Sequence, residues 1–213
     1  SYTTKILRRI SLFPQQAGVL RIDPAQLKVD VVMENERTGF SFSRRVRPAF
    51  LKTNPLEINV KKLPDDAPPG FGGAVGDFQF QAAATRTRVS TDEAVVVNMF
   101  ITGNGDMMRV QPPVLFLSDS FEVYAPKVIE EKSAETGGEL SGKKVFEYLI
   151  LPKYPGEFSF TPSFTFFNTE RGIYEVLKSE PIPMYVAPGT DRHTATVPAS
   201  PSDARASDIR FIK

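Results

Sequence analysis

The chain has 213 residues, enough for one or two domains with cores of their own. Its 26 lysines and arginines nearly balance 25 aspartates and glutamates, so no net field gathers nucleic acid or an anionic surface. Cysteine is absent, which excludes a disulfide framework, a thiolate metal site and a cysteine nucleophile.

In chain order, Ser1–Lys5 leads straight into a strand pattern with no signal-peptide signature, and Ile6 to Phe13 reads as the first strand. No apolar run reaches the ~18 residues that a membrane-spanning helix needs. Pro14 to Gly18 reads as a turn, Val19 to Ile22 as a strand, and Leu27 to Met33 alternates with period two. Arg37, Arg44, Arg45 and Arg47 cluster as a basic hairpin tip or loop, read as an exposed basic interaction loop. Leu56 to Val60 is a short strand. From Leu63 the chain becomes a connector rich in proline and glycine, with Pro64, Pro68, Pro69, Phe71, Gly72, Gly73 and Gly76 as its shaping residues.

Beyond the connector, Phe78 and Phe80 begin a new strand, Val95 to Ile101 is a buried one, and Gly103-Asn104-Gly105 closes it. Further strands are expected at Val114 to Leu117, Phe121 to Tyr124, Val145 to Leu151, Glu157 to Phe167, Tyr174 to Lys178 and Ile182 to Val186. Pro162 interrupts the fourth of these, which argues for an edge strand or a bulge there. Glu130 to Lys143 is charged and glycine-bearing, and reads as an exposed hairpin loop.

A repeat underlies this order. Phe13 to Pro24 aligns without a gap on Leu151 to Pro162, and Asn54 to Val60 falls on Glu180 to Val186. Upstream, Ile10 and Leu12 fall on Tyr148 and Ile150. The fold class is therefore all-β: tandem immunoglobulin-like sandwiches, the first represented only by its C-terminal half. Residues 1–62 form that closing half, 63–76 the joint and 77–187 a complete sandwich. A flexible linker occupies 188–207, and 208–213 begin a further segment. The apolar face of the half-domain needs a complement, supplied by earlier residues or by another chain.

No catalytic constellation emerges. His193 stands alone in the linker, so serine–histidine chemistry has no base. Gly70 to Gly76 lacks the lysine and helix start of a phosphate loop, and reads as a structural turn. Gly103 to Asp106 lacks the following acidic ligand of a calcium loop and reads as a tight turn. Asp65 with Asp66, and Glu130 with Glu131, are neighbours whose side chains diverge in extended chain, which places no acid–base pair. Seventeen phenylalanines without tryptophan suit sandwich cores better than a carbohydrate platform. No catalytic, metal or cofactor-binding residue is named, and no cofactor is expected.

Several motifs resemble the BatD family of the Bat (aerotolerance) operons. They are Val60 to Pro64 leading to Phe71-Gly-Gly-Ala-Val-Gly-Asp-Phe78, Ile101 to Gly105 followed by Pro112-Pro113, and Phe146 to Pro152 with Gly156. Phe166-Phe167, Tyr174 and Asp208 to Lys213 extend the likeness along the chain. The resemblance implies tandem immunoglobulin-like domains on the periplasmic side of the bacterial inner membrane, in a protein secreted through that membrane and anchored by a helix outside this soluble fragment. It implies no enzymatic activity. The implied role is a scaffold or adaptor in a stress-response complex, with von Willebrand factor A-type Bat proteins and other Bat operon products as partners. The alternative reading of the residues is a cell-surface module binding glycan or another polymer.

Overall fold

The computed structural model of the chain describes residues 4, 6–33, 45–136 and 139–190. The chain divides into two compact units, Ser1–Pro69 and Gly70–Lys213. Arg37, Arg44, His193, nearly all of the expected linker and the closing segment 208–213 lie outside the described residues.

In the first unit, β1 (Gly18–Ile22), β2 (Gln26–Met33), β3 (Arg45–Lys52) and β4 (Leu56–Val60) form two antiparallel ladders, β1–β4 and β2–β3. Arg45 and Arg47, expected in a loop, instead lie on β3, where Arg47 stands opposite Val31. Ile6 to Phe13 is not a strand, contrary to expectation. A strand needs a neighbour to take its amides and carbonyls, and this stretch joins no ladder among the described residues.

The second unit continues with β5 (Phe71–Gly76), β6 (Phe78–Ala84), β7 (Arg88–Ser90), β8 (Val95–Gly103), a single helical turn at Met107–Arg109, β9 (Phe121–Val123) and β10 (Lys127–Thr136). Then come β11 (Glu139–Pro152), β12 (Gly156–Phe160), β13 (Ser163–Asn168), β14 (Ile173–Lys178) and β15 (Ile182–Ala187). One sheet has the order β10-β11-β8-β6, with β9 also pairing with β11. Two three-stranded ladders, β14-β13-β5 and β12-β15-β7, face its inner side through the core. Val95, Val97, Met99 and Ile101 alternate inward along β8 and are fully buried. Phe78 meets Phe164 and Phe166 edge-on at 5.6 and 5.3 Å, and Phe121 meets Phe158 at 4.9 Å. The fold is an all-β sandwich.

Three expectations need correction here. The described residues of Glu130 to Lys143, 130–136 and 139–143, are no loop: they lie on the paired strands β10 and β11, where charged residues are tolerated because β10 is an edge strand with one face in water. The stretch from Glu157 to Phe167 is broken at Pro162, where the chain leaves β15 and takes up β14 as its partner. Proline cannot donate to a ladder, so the handover falls where no donor is lost. Val114 to Leu117 joins no sheet among the described residues. The two prolines before it remove the amides that would start a ladder.

The repeat is realised at the level of register. Gly18 faces Val60 and Ile22 faces Leu56, as Gly156 faces Val186 and Phe160 faces Ile182. Both opening glycines hold positive φ, +124° at Gly18 and +151° at Gly156. The burial differs. Leu56 is 56% exposed where its counterpart Ile182 is 6%. Ile182 packs on a second sheet, and the described strands of the first unit have no such layer.

Candidate functional site

The Pro/Gly stretch was expected to act as one joint, and the structure divides its residues. Pro64, Pro68 and Pro69 lie outside any strand, with Lys62 and Asp65 forming an exposed ion pair at 2.5 Å. Phe71, Gly72, Gly73 and Gly76 are instead part of β5, which runs parallel to β13 as the outer strand of its ladder. Phe71 pairs with Thr165 and Val75 with Phe167, so Gly72, Gly73 and Ala74 together stand opposite Phe166. This is a bulge, and glycine makes it buildable. Gly73 has φ of +87°, and a Cβ on Gly72 would lie 2.9 Å from Cβ of Gln111. Phe71 closes the strand against Tyr174, edge-on at 4.9 Å. Gly73→Val is therefore expected to destabilise the second unit by about 2 kcal/mol through backbone strain alone, since nothing lies within 4 Å of the added Cβ. Thermal unfolding measures it, and an unchanged midpoint would show that the bulge relaxes freely.

A trough of about 670 Å³ crosses one end of the β10-β11-β8-β6 sheet. Its lining includes Asp77, Gln79, Thr102, Ser141, Lys132 and Lys143. Among the described residues, no protein group engages the side chains of Gln79, Thr102 and Ser141. The lysines are committed: Glu130 accepts from Lys132 at 2.8 Å and from Lys143 at 2.7 Å. Neighbouring Glu131 points to the opposite face and pairs with Lys144 at 3.0 Å. The two adjacent carboxylates thus serve different lysines, as their alternation along a strand requires.

The hydrogen bonds from Lys132 and then Lys143 pull the Glu130 carboxyl from its ordinary 4.5 down to about 2. A carboxylate held low in the folded state stabilises above its unfolded value, and that contribution disappears as pH falls through the folded one. The stabilisation from Glu130 is expected in full above pH 4.5 and lost towards pH 2. Acid unfolding of Glu130→Gln should be flatter than wild type across this window. Matching curves would show that the lysine contacts are open in solution.

A second surface lies at Val114 to Leu117. Leu115 and Leu117 pack on the core while Val114 and Phe116 point out, 41% and 71% exposed. The Tyr148 hydroxyl donates to the Pro113 carbonyl and pins the start of the segment. Burial raises the Tyr148 hydroxyl to about 12, so it remains a donor through the physiological range.

The described strands of the second unit thus form one sandwich that spans β6 to β15 and adds β5 at a ladder edge. The family model for the BatD DUF11 like domain matches residues 82–186, from within β6 to within β15. This domain belongs to the BatD family. The BatD match leaves β5 outside, although its Phe-Gly-Gly-Ala-Val-Gly motif carried much of the resemblance; those glycines build a bulged edge strand. No curated protein and no solved structure matches the chain. Among the described residues, no helix is long and apolar enough to cross a membrane.

Proposed function

We propose that the chain is a non-enzymatic interaction module of a Bat complex that supports aerotolerance on the periplasmic side of the inner membrane. It acts as a scaffold, docking von Willebrand factor A-type Bat proteins and other Bat operon products, with membrane attachment supplied by an anchor elsewhere in the protein. The BatD domain at residues 82–186 is the observation that carries this reading. The open ladder edges support it, because an edge strand presents unpaired amides and carbonyls to a partner. Strand β14 is one such edge, with Ile173 and Val176 exposed along it.

The test is calorimetric titration of the chain with the soluble von Willebrand A-type domains encoded beside it, with and without Mg²⁺. Saturable heat establishes the adaptor. A folded chain that gives no heat with any of them sinks the reading.

The trough favours a second reading, a module binding neutral glycan. Gln79, Thr102 and Ser141 offer uncommitted hydrogen-bonding groups, and the carboxylates of Glu130 and Asp77 balance the charges of Lys132 and Lys143. Retention on peptidoglycan or polysaccharide, lost in Gln79→Ala with Thr102→Ala, would favour it over the adaptor. Loss only in Tyr124→Ala or Tyr154→Ala would move the contact to those exposed rings.

A further inference from the structure

Val114 to Leu117 carries the burial pattern of a strand without its pairing. Its side chains alternate between core and solvent, and among the described residues none of its backbone groups joins a backbone hydrogen bond. Backbone left without a ladder partner is a template for strand addition, and Phe116 at 71% exposure makes the site apolar as well.

We propose that this segment is a self-association edge through which two copies of the chain pair antiparallel, about a two-fold axis near Leu115. That register sets Val114 of each copy against Phe116 of the other on the outer face, and Leu115 against Leu115 on the inner one. The ends of the segment select the direction. Arg109, 64% exposed and only loosely held by Asp106 at 3.9 Å, precedes the run. Asp119, exposed and without an ion pair among the described residues, follows it. An antiparallel pair brings Arg109 of each copy towards Asp119 of the other, whereas a parallel pair would set like charges side by side. Pro112 and Pro113 limit the ladder to the short run after them, so growth beyond a closed pair is blocked.

The inference does not rest on the Bat partners: a monomeric chain that still binds a von Willebrand A-type domain overturns the pairing and leaves the adaptor intact. The experiment is sedimentation equilibrium of the 213-residue chain over a wide concentration range. Wild type is expected to reach a dimer, and Phe116→Asp to weaken association by about tenfold or more with an unchanged melting point. Arg109→Asp and Asp119→Arg should each weaken the dimer, and the double exchange should restore it. A wild type that stays monomeric overturns the proposal. So does a dimer indifferent to Phe116→Asp, or a monomer whose edge is filled only by extended peptides from another protein.

Discussion

Replacing Lys144 by alanine is expected to destabilise the sandwich domain by about 3 kcal/mol, from the void left by a buried side chain and from carbonyls that lose their donor. Lys144 lies on β11 opposite Ile101 and is only 4% exposed. An ammonium group there has lost its water, and three protein groups replace it. Its Nζ donates to the carbonyls of Met107 and Met108 at 2.8 and 3.2 Å, and pairs with Glu131 at 3.0 Å. It also lies 5.6 Å from the centre of the Phe146 ring. Alanine would leave a void and two carbonyls without their donor, and would free the single helical turn that follows β8. Lys144→Met fills the void but restores none of the hydrogen bonds, so it should lose about 2 kcal/mol. Thermal unfolding should show the alanine midpoint falling by roughly 10 °C. A loss under about 1 kcal/mol would mean that water already reaches the ammonium.

Much of the sandwich was legible because burial imposes period two on a strand. Val95 to Ile101 and Ile182 to Val186 alternate as they must when one face is core, and both are strands at close to the expected bounds. The repeat was legible for the same reason: Gly18 and Gly156 open equivalent strands from a backbone that only glycine adopts readily. What escaped was pairing, a property of two segments. Ile6 to Phe13 carries the same pattern as part of β11, yet only β11 has β8 and β10 beside it. Pattern supplied the propensity; the neighbour decided the outcome. The β10–β11 hairpin escaped for the opposite reason, since a solvated edge strand carries the charges of a loop.

The site was less legible than the fold. The glycines at 72, 73 and 76 suggested a joint because glycine and proline punctuate chains in general, and period-two reasoning passes over a bulge. Their use as a bulge depends on β13, which lies far along the sequence. Gln79, Thr102 and Ser141 share a trough because three strands bring them together, with no local motif to mark it. Val114 to Leu117 has the pattern of an ordinary strand, and its missing ladder is visible only with the sheets in place.

The second large effect is expected at Gly103, where alanine should destabilise the domain by about 3 kcal/mol through overpacking of backbone on backbone. A Cβ there would lie 2.2 Å from the carbonyl oxygen of Asp77 and 2.7 Å from Cδ1 of Phe78. The first contact cannot relax by turning a side chain, so β6 or β8 must move. That carbonyl accepts from the Asn104 amide at 3.1 Å, and the Asn104 side chain accepts from the Asp77 amide at 2.8 Å. Moving either strand strains both bonds and drags Phe78 from its edge-on contacts with Phe164 and Phe166. Gly172→Ala is the control, because Gly172 also has special backbone, φ +68°, but nothing within 4 Å. It should lose about 1 kcal/mol, the strain of positive φ alone. Urea unfolding of the two variants separates the contributions. Equal losses would show that the paired ends of β6 and β8 yield as easily as an open turn, and that the close approach at Gly103 is not what holds the strands in register.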